Sequence, residues 1–317
     1  MLGTVPVAAK VTGCRARVPR HTVQGADRSV VNTVEPMMPS IPSWAIGPVR
    51  IGPLTFPPIW CEGMIGLELR ALTRHPVFTQ PQEVPAPVPV MLIPGFLTGD
   101  AQLATLGSWL RRRGHRTNRS GIRLNIDCSA AATKRLEERL ERFVELSGEP
   151  AVLIGQSRGG LFARVLAVRR PDLVRSVVTL GSPQQDPFAV HPLIWVQGAL
   201  IAGLAAIGVP GVASRHCRSG ACCRDFMRDL EAALPRGVGH LSIYSRRDGI
   251  VDWRACLAPG AVNTEVRSTH CGMAVNAEVY ELLDSALAAP ARRSRSRRSR
   301  KAAPAAAAAR ARRARAA

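Results

Sequence analysis

From Val88 onward, short apolar runs alternate with longer stretches of helical period, and this alternation limits the available folds more than any other feature of the chain. VPVMLIP (88–94), AVLIG (151–155), VRSVVTLGSP (174–183), HLSIYS (240–245) and AVNTEV (261–266) read as strands, with a further strand near 116–126. Between them, AQLATLGSWLRRRG (101–114) sets Leu103, Leu106 and Leu110 on one helical face and stops at Gly114. SAAATKRLEERLERFVELSG (129–148) turns Leu136, Leu140, Phe143 and Val144 inward, with Ser129 as its expected cap and Gly148 at its end. LFARVLAVRR (161–170) and GMAVNAEVYELLDSALAA (272–289) supply two more helices. Apolar strands joined by helical crossovers predict an α/β domain over 86–289, a mostly parallel sheet with helices on both faces.

The flanks differ in composition. Residues 1–85 are rich in Pro, Val and Gly and hold neither period, so a poorly defined, partly disordered N-terminal segment is expected there. Met37, Met38 and Met64 each offer an internal start. Arg15, Arg17 and Arg20 are not followed by the apolar stretch of a secretory signal, so a cytoplasmic location is expected. Residues 290–317 form an Ala/Arg tail whose lysine and arginines, unopposed by any acid, supply much of the formal net charge of +20. Such a run repels itself and buries nothing, so disorder is expected. The tail can hold the chain weakly at a membrane surface. No helix-turn-helix, zinc-finger or RNA-recognition pattern accompanies it, and no specific nucleic-acid partner is expected.

Between about 184 and 237 the alternation stops. Pro187 to Ser214 contains no Asp, Glu, Lys or Arg, and its apolar stretch, Leu193 to Val209, is shorter than the roughly 20 residues that a spanning helix needs. The expectation is an apolar cap or lid in which Trp195, Leu200, Ile201, Leu204 and Ile207 form one face. Eight cysteines stand at 14, 61, 128, 217, 222, 223, 256 and 271. The tight cluster Cys217, Cys222, Cys223 lacks a second ligand pair at zinc spacing, so a local disulfide or thiols are expected and no metal.

G-Q-S-R-G at 155–159 fits G-x-S-x-G and lies between an expected strand and an expected helix, the context that gives the motif its meaning. A sharp turn there lifts the Ser157 hydroxyl above the sheet, and Gly155, Gly159 and Gly160 leave room for it. A serine hydroxyl needs a base, and the base needs a partner that fixes its tautomer. YSRRDGIVDW offers Asp248 just past a strand, with Asp252 as the alternative acid, and STHCGMAVN offers His270 between the last strand and the last helix. His240 opens a strand, and His115, His191 and His216 fall in turns or in the cap, where structural roles are expected. The backbone N–H groups of Arg158, at a helix start, and Phe96, in the P-G-F turn, are the expected oxyanion donors.

The ordered set LIPGF, GQSRGG, TLGSP, YSRRDGIVDW, STHCGMAVN resembles the α/β-hydrolase superfamily, and within it bacterial lipase-like and esterase-like serine hydrolases. The resemblance covers roughly 86–289. It implies Ser157 as nucleophile, Asp248 as acid, His270 as base, and Phe96 and Arg158 at the oxyanion hole, with no cofactor. The chain departs from the common pattern at Pro94 and Gln156, where many lipases have His. The implied activity is cleavage of carboxylic esters with an apolar acyl group through an acyl-enzyme. Thioesterase or acyltransferase chemistry on the same triad, and a non-catalytic hydrolase-like protein held by its basic tail, are the alternatives; the oligomeric state stays open.

Overall fold

Pro89–Ile93 runs Val90 and Leu92 to one face of a sheet and Met91 and Ile93 to the other, and all four side chains are buried. A strand apolar on both faces requires cover on both sides. The structure, a computed structural model, describes residues 49–51, 54–56, 59–207, 209, 212–213, 217 and 220–288. The N-terminal residues before 49, the basic tail and His216 lie outside the described residues. β1 (Val49–Ile51) and β2 (Leu54–Phe56) pair as a separate antiparallel hairpin. The main sheet holds β3 (Pro89–Ile93), β4 (Arg116–Arg119), β5 (Ala151–Gln156), β6 (Val174–Leu180), β7 (Gly239–Tyr244) and β8 (Val262–Glu265). Its order is β4-β3-β5-β6-β7-β8, and every neighbouring pair is parallel.

That order reverses once. The chain steps outward from β3 to β4, crosses back to β5 on the other side of β3, and continues in one direction to β8. Loops leaving β3 and β5 therefore diverge, opening a crevice at the carboxyl ends of the two strands, where ligands bind in open α/β sheets. The loops after both strands carry expected site residues, Phe96 and Ser157.

Helices cover both faces. On one side α3 (Ala104–Arg112) and α9 (Ala277–Ala288) bury Leu106, Trp109, Leu110, Tyr280 and Leu283 against Val90, Leu92, Val152, Ile154 and Ile243. On the other, α4 (Ser129–Ser147), α5 (Arg158–Arg169) and α7 (Ala221–Glu231) bring Leu136, Leu140, Phe162, Val165 and Phe226 onto Met91, Ile93 and Leu153. Gly148 ends α4 at φ 76° and donates its N–H to Val144 O, a left-handed close that glycine adopts without strain.

Three expectations change. The strand expected over 116–126 stops at Arg119, because the Asp100 carboxylate captures the Ser120 and Gly121 amides and turns the chain away. Ser129 is the first helical residue of α4 rather than its cap; Cys128 occupies that position. Part of the segment expected to be poorly defined is regular: a 3-10 turn (Ile59–Met64) leads into α1 (Ile65–Leu72) and α2 (Pro76–Thr79). The remaining helices are α6 (Pro192–Ala206), in the apolar insertion, and α8 (Trp253–Cys256). No helix among the described residues is long and apolar enough to cross a membrane.

Trp109 ties this N-terminal segment to the body. Its ring is fully buried, its Nε1 donates to Val77 O at 2.7 Å, and it packs tilted against Tyr280 with centroids 4.8 Å apart. Trp109→Ala is expected to destabilise the fold by about 3–5 kcal/mol, and a urea unfolding midpoint within error of the parent would contradict this placement.

Candidate active site

β5 ends at Gln156 and α5 begins at Arg158, leaving Ser157 alone to reverse the chain. Its backbone sits at φ 52°, ψ −122°, strained for a residue with a side chain. The turn is held by Ser157 N–H donating to Leu180 O at 2.8 Å and by Gly160 N–H donating to Ser157 O at 3.0 Å. A methyl at Gly155 would lie 2.4 Å from Gly159 O, and one at Gly159 would lie 2.2 Å from Ile93 O. Strand and helix thus meet backbone to backbone, as the reading of G-Q-S-R-G requires.

Asp248 and His270 come together beneath the loop after β6. His270 Nδ1 lies 2.6 Å from Asp248 Oδ2, and both side chains are almost wholly buried. Asp248 Oδ1 accepts the amides of Ile250 at 2.9 Å and Val251 at 2.7 Å, so the carboxylate is fixed on both oxygens. Asp252 does something else: it caps α8 by accepting from Arg254 N. Gly181, at φ 56°, passes so close that a Cβ there would stand 3.0 Å from both Asp248 Oδ2 and His270 Nδ1. Burial disfavours the His270 imidazolium, but the Asp248 carboxylate and then the Glu62 charge outweigh it and raise the pKa. Ser157 and His270 line the same cavity. No hydrogen bond joins their side chains.

The supports of His270 come from a segment that periodicity did not mark. Glu62 Oε1 accepts the amides of His270 at 2.8 Å and Gly249 at 2.9 Å, and its Oε2 accepts that of Cys271 at 2.8 Å. One carboxylate therefore bridges the acid loop and the base loop. Glu68, buried on α1, accepts from Thr269 N at 2.8 Å, Ser268 Oγ at 2.6 Å and Asn276 Nδ2 at 2.9 Å. The only trace in the sequence is a pair of acids within the apolar stretch IWCEGMIGLEL. Gln156 adds a third hold: its Nε2 donates to His270 O at 2.9 Å, giving structural work to a position where the chain departs from the common lipase pattern. Cys271, next to His270, is inert as a nucleophile, since burial and then Glu62 push its thiol up to about 12.

Arg158 N–H lies in the first turn of α5, where amides lack an intrahelical acceptor. The loop after β3 lies against Ser157, a Cβ at Gly95 falling 3.2 Å from Ser157 Cβ. The Phe96 amide, next in this loop, makes no hydrogen bond among the described residues. The Arg158 side chain is engaged by the loop before α4. Its guanidinium donates to Asn125 O and Oδ1, both at 3.0 Å, to Ser129 Oγ at 3.1 Å and to Asp127 O, clasping the loop before α4. Burial lowers its pKa to about 10, so it stays charged at neutral pH.

Two other histidines hold structure. His115 Nδ1 accepts from Val88 N, and His191 caps α6 through Leu193 N. Burial, helped by Arg164, pushes His240 down to about 4.

A cavity of about 600 Å³ opens over Ser157 and is lined by Leu161, Ile194, Trp195, Ile201, Phe226 and Met227 among others. The insertion is pinned to the acid loop by the Val190–Val251 bridge and by His191 N–H donating to Ile250 O at 2.7 Å. The expected apolar face of α6 is corrected here. Trp195 and Ile201 line the cavity, whereas Leu200, Leu204 and Ile207 point outward and are exposed.

A family model described as alpha/beta hydrolase fold matches residues 110–201. Among solved structures, Bacillus licheniformis lipase BlEst2 in its propeptide form is similar with a TM-score of 0.51 at 16% identity, over 66% of this chain and 52% of that one. The mature form of that lipase gives 0.49 at 15% identity, over 65% and 94%. Naproxen esterase (carboxylesterase NP) from Bacillus subtilis gives 0.43 at 13% identity, over 70% and 97%. The chain has the α/β-hydrolase fold. Its structural neighbours include bacterial lipases and esterases.

Because the Glu62 charge supports the imidazolium, Glu62→Gln is expected to lower the His270 pKa while the fold persists. An NMR titration of the imidazole reads this directly, and a midpoint that holds or rises would contradict the electrostatic coupling.

Proposed function

We propose that this chain is a serine hydrolase that cleaves carboxylic esters with an apolar acyl group. The observation that carries the reading is the buried Asp248–His270 pair, bonded at 2.6 Å, facing the same cavity as a strained serine at the switch point of the sheet. Ser157 Oγ attacks the ester carbonyl as His270 Nε2 takes its proton, and Asp248 holds Nδ1–H so that Nε2 is the free base. The Phe96 and Arg158 amides receive the oxyanion. His270 then protonates the leaving alcohol, and water, activated by the same imidazole, releases the acid from Ser157. The Ser157–His270 hydrogen bond forms as substrate closes the site, as is common for catalytic contacts that are loose without ligand.

The His270 pKa sets the acid limb. Only neutral imidazole accepts the serine proton, so a raised pKa moves the loss of activity on acidification to higher pH. Ser157→Ala is expected to lower kcat by about 10⁴-fold or more and to abolish labelling by a fluorophosphonate. Asp248→Asn should cost orders of magnitude and Asp252→Asn little. Labelling that survives in Ser157→Ala, or the reverse ranking of the two acids, would overturn the assignment.

The cavity sets the substrate class. Each buried CH₂ contributes up to about 0.8 kcal/mol, near fourfold in kcat/KM, so rates on simple esters should climb from acetyl toward octanoyl. Ile201→Asp, in the cavity wall, should flatten that climb, and Leu204→Asp, on the outer face, should not. A chain-length profile that is flat in the parent protein would point to short acyl groups instead.

A further inference from the structure

Three cysteines from three separate segments converge in the wall of the cavity. Cys128 occupies the N-cap position of α4, Cys222 lies in the first turn of α7, and Cys217 belongs to the insertion; their Sγ atoms all lie within 4.8 Å of one another and the three residues are partly buried. Cys128, ahead of β5 in the chain, completes a set that C-x4-C-C alone does not. We propose that Cys128, Cys217 and Cys222 bind one soft divalent cation, zinc in the first instance, which staples the apolar insertion to the body of the fold.

The chemistry fits the donors. Zinc takes thiolates at about 2.3 Å in a tetrahedral shell, which sets its sulfurs about 3.8 Å apart, so the three need only a small inward movement. Cys128 is already prepared as a ligand. It stands at the N-cap position of α4, where the unpaired backbone N–H groups of the first turn favour a negatively charged sulfur. Three thiolates on a divalent cation leave one negative charge. The buried Arg158 guanidinium, whose charge is felt by Cys128 and Cys217, stands beside it to balance that charge. Arg158 also fixes the Asn125–Ser129 loop that presents Cys128. α7, which presents Cys222, packs against both α4 and α5.

The full chain, reduced and freed of metal, is titrated with Co²⁺ and then with Zn²⁺. One equivalent of Co²⁺ should give thiolate-to-metal charge-transfer bands, which Zn²⁺ should bleach as it displaces the cobalt. Cys128→Ser and Cys222→Ser should each weaken Zn²⁺ by at least about 100-fold, while Cys223→Ser, outside the triad of sulfurs, keeps the one-to-one bands. Zn²⁺ should raise the Tm of the parent and not that of Cys128→Ser; if that variant does not fold, Cys222→Ser carries the same comparison. No bands in the reduced, folded parent, bands that persist in Cys128→Ser or Cys222→Ser, or equal loss in Cys223→Ser would each overturn the site. The readout is metal binding, so its failure leaves the esterase reading untouched.

Discussion

The structure turns on the contact between β5 and α5, where two backbones approach too closely for any Cβ. A methyl at Gly155 or Gly159 would overlap main-chain atoms, and one at Gly160 would fall 2.0 Å from Ser182 Oγ. That approach confines the reversal to one residue and holds Ser157 in a conformation costing on the order of 1–3 kcal/mol. The cores on both faces of the sheet sustain it: β5 is buried along its whole length, and α5 is buried through most of its own. The strained turn projects into the crevice that the single reversal of strand order opens. The position of Ser157 and the sheet topology are thus one constraint.

The charges around His270 form a second layer. Asp248 meets the ring directly, while Glu62 acts from the backbone side, receiving amides from both loops at once. Its carboxylate therefore sets the separation of the two loops and adds to the field at the imidazole. A neutral side chain of the same shape could do only the first of these. Arg158 has the corresponding part in the loop before α4, which its buried guanidinium organises by donating to Asn125 O and Oδ1, Asp127 O and Ser129 Oγ.

Much of this was legible because it rests on local pattern. Strands buried on both faces read as apolar runs, helices with one wet face read by their period, and glycines around a serine between the two announce a close approach. The Ser, acid, His order follows from loops at the carboxyl ends of β5, β7 and β8. What escaped rests on distant partners or on uniform composition. Glu62 and Glu68 answer amides some two hundred positions along the chain, and the sequence marks them only as two acids in an apolar stretch without helix or strand period. Cys128 meets Cys217 and Cys222 only after folding. α6 is apolar all round, so no period could say which of its residues face the cavity, and Leu204 was misassigned for that reason.

The turn and helix at Ile59–Leu72 lie outside the sheet and precede its first strand, yet they carry acceptors for four backbone amides of the two loops that present Asp248 and His270. The segment behaves as a peptide ligand tethered to its own receptor, with an effective concentration fixed by the short connection to β3. Docking of the segment onto those loops then costs no translational freedom. The boundary of the folded unit is accordingly drawn by occupancy of those amides, upstream of the point where strand and helix periods begin.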